Sequence, residues 1–108
     1  MKPHWFYILL STSSAPRYGS AIQEDVRALS DGGVRLWPAT LYGSLEELTQ
    51  MGWLAEVPEG DRPDGGGGRE RFYRMTEEGR QALRAEVERM EALAGVARAR
   101  MDGGEAPA

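Results

Sequence analysis

The apolar positions in the first half of the chain recur at the three- and four-residue spacing of amphipathic α-helices. Three stretches share this spacing, and their apolar residues are Trp5, Phe6, Ile8 and Leu9; Ile22, Val26 and Leu29; and Leu41, Leu45 and Leu48. Pro16 ends the first predicted helix, and Ser20 is the predicted N-cap of the second. Pro38 suits the first turn of the third, where its missing N–H has no partner, and Met51-Gly52 ends it.

After Gly52 the pattern becomes that of β-strands. Residues 53–57 and 71–75 are enriched in aromatic and branched side chains and are predicted to form two strands. The segment between them is rich in glycine and proline and contains the run Gly65–Gly68, so we expect a mobile hairpin tip. A phosphate-binding loop is disfavoured there, because it needs a helix directly after the glycines and a strand follows.

A long last helix is predicted over residues 77–101, with Thr76 as its N-cap and Glu77 and Glu78 in its first turn. Its apolar residues are separated alternately by four and three positions, as in a coiled coil: Leu83, Val87, Met90, Ala94, Ala97 and Met101. Another helix must cover this seam. The first helix is too short to cover it all, so we predict a homodimer whose interface also includes Trp5 and Leu9. The alternative is a monomer in which the seam covers only the chain's own first helix.

The element order indicates a mainly α fold with a small β-hairpin, arranged as a winged helix-turn-helix over residues 1–76. Residues 77–101 are the predicted C-terminal dimerisation helix, and residues 102–108 are a predicted disordered tail. In a winged helix-turn-helix the third helix enters the DNA major groove and the hairpin lies against the neighbouring backbone.

The candidate DNA-binding residues are small or hydroxyl-bearing residues at the start of the third helix and arginines of the wing. They are Pro38, Ala39, Thr40, Tyr42, Gly43, Ser44, Arg69 and Arg71. Two alternatives stay open. Tyr42 can instead pack its ring against the second helix, and the arginines, Arg74 included, can simply keep a sheet edge soluble.

Charge argues in part against DNA binding, since 13 basic and 17 acidic residues give a net charge of −4. Acidic residues without a base run from Glu46 to Asp61, so the alternative function is a winged-helix protein-interaction module without DNA binding. The chain has no cysteine and one histidine, His4, and shows no nucleophile–base pair, so we expect neither an enzyme nor a metal or cofactor site. No apolar run reaches membrane-spanning length, so the expectation is a soluble cytoplasmic protein.

The sequence Leu-Trp-Pro-Ala-Thr-Leu-Tyr-Gly-Ser-Leu at residues 36–45 resembles the signature of PadR-family transcriptional regulators. Tyr18-Gly19 and the segment 73–79 are similar to two further family motifs, and the resemblance covers about residues 5 to 95. It implies a homodimeric winged-helix repressor of the subgroup with a single C-terminal helix, in which the first and last helices build the dimer interface. The chain has Trp37 where the family usually has serine or a similar cap.

Many such regulators are released from DNA by small molecules. The resemblance therefore implies an effector for this chain as well. Trp5, Met90 and Leu93 are the candidate lining of an apolar pocket at the dimer centre for a small aromatic or cationic effector. The alternative is ordinary core packing of the same residues.

Overall fold

Four α-helices and three short strands make up the part of the chain that the computed structural model describes, residues 1–63 and 70–103. The elements are α1 (Pro3–Thr12), β1 (Arg17–Tyr18), α2 (Gly19–Leu29), α3 (Pro38–Gln50), β2 (Leu54–Glu56), a 3-10 turn (Glu59–Asp61), β3 (Phe72–Met75) and α4 (Glu77–Met101). The predicted mobile tip at Gly65–Gly68, Arg69 and most of the predicted tail lie outside the described residues.

The three strands form one antiparallel sheet in the order β1-β3-β2. Leu54 pairs with Met75 on one side of β3, and Arg17 pairs with Tyr73 on the other. The predicted hairpin is therefore confirmed, and the winged helix-turn-helix with it. The two-residue strand β1 was not predicted, because it is too short to carry an alternating pattern.

The core lies where α1, α2, α3 and the sheet meet. The helices contribute the apolar stripes that their spacing predicts: Ile8 and Leu9; Ile22 and Val26; and Leu41, Leu45 and Leu48. One residue of the predicted apolar stripe of α2 does not join the core. Leu29 is the last residue of α2 and remains 44% exposed, because the chain turns away there through Gly32 at φ +78°.

Helix α2 starts differently from the prediction. Its N-cap is Tyr18, whose side chain makes no capping hydrogen bond, and Ser20 lies within the helix instead. The Ser20 N–H donates to the carboxylate of Glu70, which belongs to the wing. The wing therefore caps this helix from a distance in sequence, which satisfies one of the donors that a helix start leaves free.

Helix α4 begins directly at the end of the sheet. Thr76 Oγ1 accepts a hydrogen bond from the Gly79 N–H at 3.0 Å and donates to the Gly52 carbonyl, so the predicted cap is confirmed. Gly79 passes so close to the residue before β2 that a Cβ atom built on it would lie 2.2 Å from the Trp53 carbonyl oxygen. This contact sets the position of α4 against the sheet.

Only the first part of α4 packs on the rest of the chain. Its buried residues are Gly79, Leu83 and Glu86, and the helix then extends away from the core for about another four turns. The result is an elongated shape of 57 × 27 × 21 Å. No helix in the described ranges is both long and apolar enough to cross a lipid bilayer.

Candidate nucleic-acid interface

The first two turns of α3 present a nearly continuous exposed surface. Five of the six residues predicted to contact DNA from this helix are exposed: Pro38, Ala39, Thr40, Tyr42 and Gly43. The sixth, Ser44, is wrong as a contact residue, because it is only 2% exposed. It lies three residues after Leu41 and therefore faces the core with the apolar stripe.

Tyr42 packs against α2 and yet remains partly exposed. Its ring lies against the start of α2, where a Cβ atom on Gly19 would be 3.2 Å from Tyr42 Cε1 and 3.3 Å from the hydroxyl oxygen. The side chain nevertheless remains 44% exposed. The absence of a side chain at Gly19 thus leaves room for the ring and fixes its position on the surface of the protein.

A groove of about 420 Å³ separates α3 from the wing. Its lining residues are Tyr42, Gly43, Glu46, Glu70, Arg71 and Tyr73. Arg71 is exposed, and its hydrogen bond with the Tyr73 side chain is the main cause that raises the pKa of the guanidinium. Burial raises the pKa of Tyr73, so its hydroxyl stays neutral and the charge available to an anionic ligand belongs to Arg71.

The wing residues differ in where they point. Arg71 and Tyr73 lie on the face of the sheet that borders α3, whereas alternation along β3 turns Arg74 to the opposite face. Arg62 donates to the Glu70 carbonyl at 3.0 Å and so ties the two arms of the hairpin together. Arg69, predicted to contact DNA, lies outside the described residues.

Acidic side chains limit how far along α3 an anion can approach. Glu46 lines the groove, and Glu56 Oε1 lies 3.9 Å from Arg71 Nε. Glu47 is offset by Lys2, whose Nζ is 3.2 Å from the Glu47 carboxylate. Along α3 itself, favourable contact with phosphates is therefore restricted to the N-terminal end.

The loop between α2 and α3 carries two residues that the sequence-based prediction did not include. Arg35 and Trp37 flank the buried Leu36, and the Arg35 guanidinium carbon lies 5.5 Å from the centre of the Trp37 ring. They lie in a segment without periodicity, so hydrophobic patterning gives no information about them. The one feature of the sequence that could have indicated them is their position just before Pro38, where α3 begins.

The predicted dimer residues divide into two groups. Trp5, Leu9 and Leu83 are buried in the chain's own core and are wrong as interface residues, because the packing of α1 against α2, the sheet and the start of α4 already covers them. The others are exposed on α4: Val87, Met90, Ala94, Ala97 and Met101.

Within a single chain, the residues predicted to line an effector pocket at the dimer centre are not brought together. Trp5 is 8% exposed and packs edge-to-face against Trp53 at a centroid distance of 6.0 Å. Met90 instead borders a cavity of about 200 Å³ beside Phe6 and Tyr7, and Leu93 is exposed further along α4. Within the described ranges, no cluster of acidic or histidine side chains could hold a metal ion.

Comparison with known proteins places this architecture in a family. The model of the transcriptional regulator PadR-like family matches residues 8–85. A PadR family transcriptional regulator from Eggerthella lenta is 30% identical, with a TM-score of 0.59 over 81% of this chain and 73% of its own. A PadR family regulator from Clostridium difficile is 17% identical, with a TM-score of 0.68 over 84% and 90% of the two chains.

A transcriptional regulator from Clostridium thermocellum is 23% identical, with a TM-score of 0.66 over 81% of each chain. No curated protein matches the sequence. The family model covers well over half of the chain, with the helix-turn-helix, both strands of the wing and the start of α4 inside the matched range. The chain therefore belongs to the PadR-like family of transcriptional regulators.

Proposed function

We propose that the protein is a cytoplasmic, homodimeric repressor that binds double-stranded DNA through α3 and the wing. The observation that carries the proposal is the exposed N-terminal end of α3 beside a groove that contains Arg71. Two copies related by a two-fold axis would read an inverted repeat, with half-sites about one helical turn apart.

The chemistry at the end of α3 supports this assignment. Thr40 and Tyr42 offer hydroxyl groups that can hydrogen-bond to phosphates or base edges, and Ala39 and Gly43 allow close approach of the backbone. Arg71 adds a charge that attracts any DNA sequence equally. Glu46 repels phosphate, so the recognition contacts are limited to the first two turns of the helix.

The dimer is supported by the apolar residues that α4 exposes. Met90 is 44% and Leu93 54% exposed, although Met90 borders Phe6 and Tyr7 of α1. Soluble proteins seldom leave such a surface in contact with water, and the heptad spacing suits a second α4. The small side chains of Ala94 and Ala97 would let the two helices approach closely.

The test of the proposal is a fluorescence anisotropy titration of the protein with its own promoter and with a random duplex of equal length. We expect tighter binding to the promoter fragment, with affinity falling steeply as salt is raised. Equal affinity for the two duplexes at moderate salt would contradict the proposal.

Replacing Tyr42 by phenylalanine is expected to lower the affinity for the promoter fragment about three- to tenfold, because one hydrogen bond is lost while the ring packing on Gly19 stays.

Replacing Arg71 by alanine should weaken binding to all sequences alike and reduce the salt slope by about 1. The matched control is Arg74→Ala, on the opposite face of the wing, which should change neither quantity. Unchanged affinity in both test variants would remove these two residues from the interface.

A second candidate, a protein-interaction module without DNA binding, is favoured by the acidic side chains around the groove. Glu46 lines the groove and Glu56 lies near Arg71, so the positive potential there is reduced. The anisotropy titration separates the candidates, because this module would bind neither duplex at any salt concentration.

We further propose that a small aromatic effector releases the protein from DNA by binding beside Met90. The support is the cavity that Met90 shares with Phe6 and Tyr7, where α1 meets the exposed part of α4. The expected result is an aromatic compound that lowers the DNA affinity of the wild-type protein but not of a Phe6→Leu variant. No response to a broad panel of aromatic compounds would remove the effector from the proposal.

A further inference from the structure

We propose that Arg35 and Trp37 form a second contact with the DNA backbone, at the corner between α2 and α3. This inference rests on the proposed function and names a part of the interface beyond α3 and the wing. The Arg35 guanidinium would bind a phosphate next to the one held by the start of α3, and the Trp37 ring would lie against the adjoining deoxyribose. Arg27 borders a surface cavity together with Arg35 and Trp37 and adds positive charge.

The exposure of Trp37 is the first observation behind the proposal. Its side chain is 63% exposed, although tryptophan is usually largely buried in folded proteins. Of the three tryptophans, Trp5 is buried and Trp53 is partly buried, so Trp37 is the one that the fold does not use for its core. An exposed tryptophan next to arginine is typical of surfaces that bind a partner.

The second observation is that Arg27 and Arg35 have no acidic partner among the described residues. Arg35 is stacked over the Trp37 ring, and neither Arg27 nor Arg35 forms an ion pair with a carboxylate in the described part of the chain. Arg71, by contrast, lies 3.9 Å from Glu56. The two arginines at the corner therefore lack the close ion pair that Arg71 has, although Glu24 borders their cavity. Guanidinium groups suit phosphate well, because their planar donors match two phosphate oxygens.

The corner is also held in place, which lowers the cost of binding. Leu36 is buried between the two residues, and its carbonyl accepts a hydrogen bond from Gln23 Nε2 on α2. Earlier in the loop, the Val34 N–H donates to Ser30 Oγ at 2.9 Å. Since Leu36 points inward, its two neighbours in the chain point outward. A loop fixed in this way loses little conformational freedom when it binds DNA.

The corner lies at the N-terminal end of α3, the end that the proposed function places on DNA. Trp37 directly precedes Pro38, the first residue of α3, so its ring lies at the same end of the helix as Thr40. The cavity of about 250 Å³ that Trp37, Arg35 and Arg27 border also contains Glu24. This carboxylate would repel a phosphate bound there. Removing its charge should therefore strengthen DNA binding, whereas removing the charge of Arg35 should weaken it.

The experiment measures the DNA affinity and salt slope of full-length variants on the promoter fragment and on a random duplex. We expect Arg35→Ala to weaken binding to both about three- to tenfold and to reduce the salt slope by about 1. Glu24→Gln should strengthen binding to both. The matched control is Arg100→Ala, which removes an exposed arginine near the distant end of α4 and should leave both duplex affinities unchanged.

A second measurement reports on Trp37 itself. Acrylamide should quench the free protein's tryptophan emission mainly through Trp37, and saturation with DNA should protect that emission. In a Trp37→Phe variant, acrylamide should quench the remaining emission only weakly, and DNA should not change that quenching. If the wild type binds its promoter but Arg35→Ala leaves affinity and salt slope unchanged, or DNA leaves Trp37 accessible, the corner contact is wrong and the proposed function stands. A wild type that does not prefer its promoter overturns both.

Discussion

Replacing Gly79 by alanine is expected to lower the free energy of unfolding by about 3 kcal/mol. The added Cβ would lie 2.2 Å from the Trp53 carbonyl oxygen and 3.0 Å from its carbonyl carbon, and both are backbone atoms. That oxygen also accepts the Thr76 N–H at 3.0 Å, so moving it would disrupt the junction between the sheet and α4. The steric clash of this one methyl group can therefore be relieved only by shifting the long helix or the backbone that leads into β2.

Gly95→Ala is the matched control, since Gly95 lies in the same helix and a Cβ there meets nothing within 4 Å. Alanine is the better helix former, so this change should stabilise the protein by about 0.5 to 1 kcal/mol. Urea unfolding at one fixed protein concentration measures both. A Gly79→Ala protein that unfolds at the wild-type urea concentration would show that the close approach to Trp53 is not required.

Replacing Met90 by glutamate is expected to make the protein monomeric at micromolar concentration. In the proposed dimer Met90 is one of the large apolar residues of the exposed α4 seam, so the substitution would place a carboxylate from each copy in the interface. Burying two like charges costs several kcal/mol, which is comparable to the stability of a small interface. Affinity for an inverted repeat should fall about a hundredfold or more, because each half-site is then bound independently.

Sedimentation equilibrium measures the assembly state, and anisotropy with the promoter fragment measures the loss of affinity. The matched control is Ala92→Glu, which adds the same charge two residues later on the opposite side of the heptad and should leave the protein dimeric. A Met90→Glu protein that remains a dimer would place the interface elsewhere. A wild-type protein that is monomeric at micromolar concentration would contradict the dimer itself.

Much of the fold could be predicted from the sequence because its signals are local. The period of the apolar residues, the Thr76 cap and Pro38 at the start of α3 are each set within a few residues, and the bounds of α4 agree with them. Interactions distant in sequence could not be predicted. Strand β1 exists because β3 offers an unpaired edge, and α2 is capped by Glu70, fifty residues away.

The candidate site could be predicted less well, because residue type does not determine which way a side chain faces. Ser44 has a hydroxyl suited to DNA, but its place in the helical repeat turns it into the core. Trp5, Leu9 and Leu83 are apolar, and an apolar residue suits a core and an interface equally. The sequence alone therefore could not show which part of α4 the chain itself covers.

The rigid start of α4 has a consequence for how a distant event could reach the DNA. Because Thr76 and Gly79 hold the helix against the sheet, each helix-turn-helix must move as one body with its α4. From Val87 back to Thr76 the helix acts as a lever arm of about 17 Å. In the proposed dimer, a rotation of only 10° where the two α4 helices cross would displace each helix-turn-helix by about 3 Å, close to the rise of one base pair.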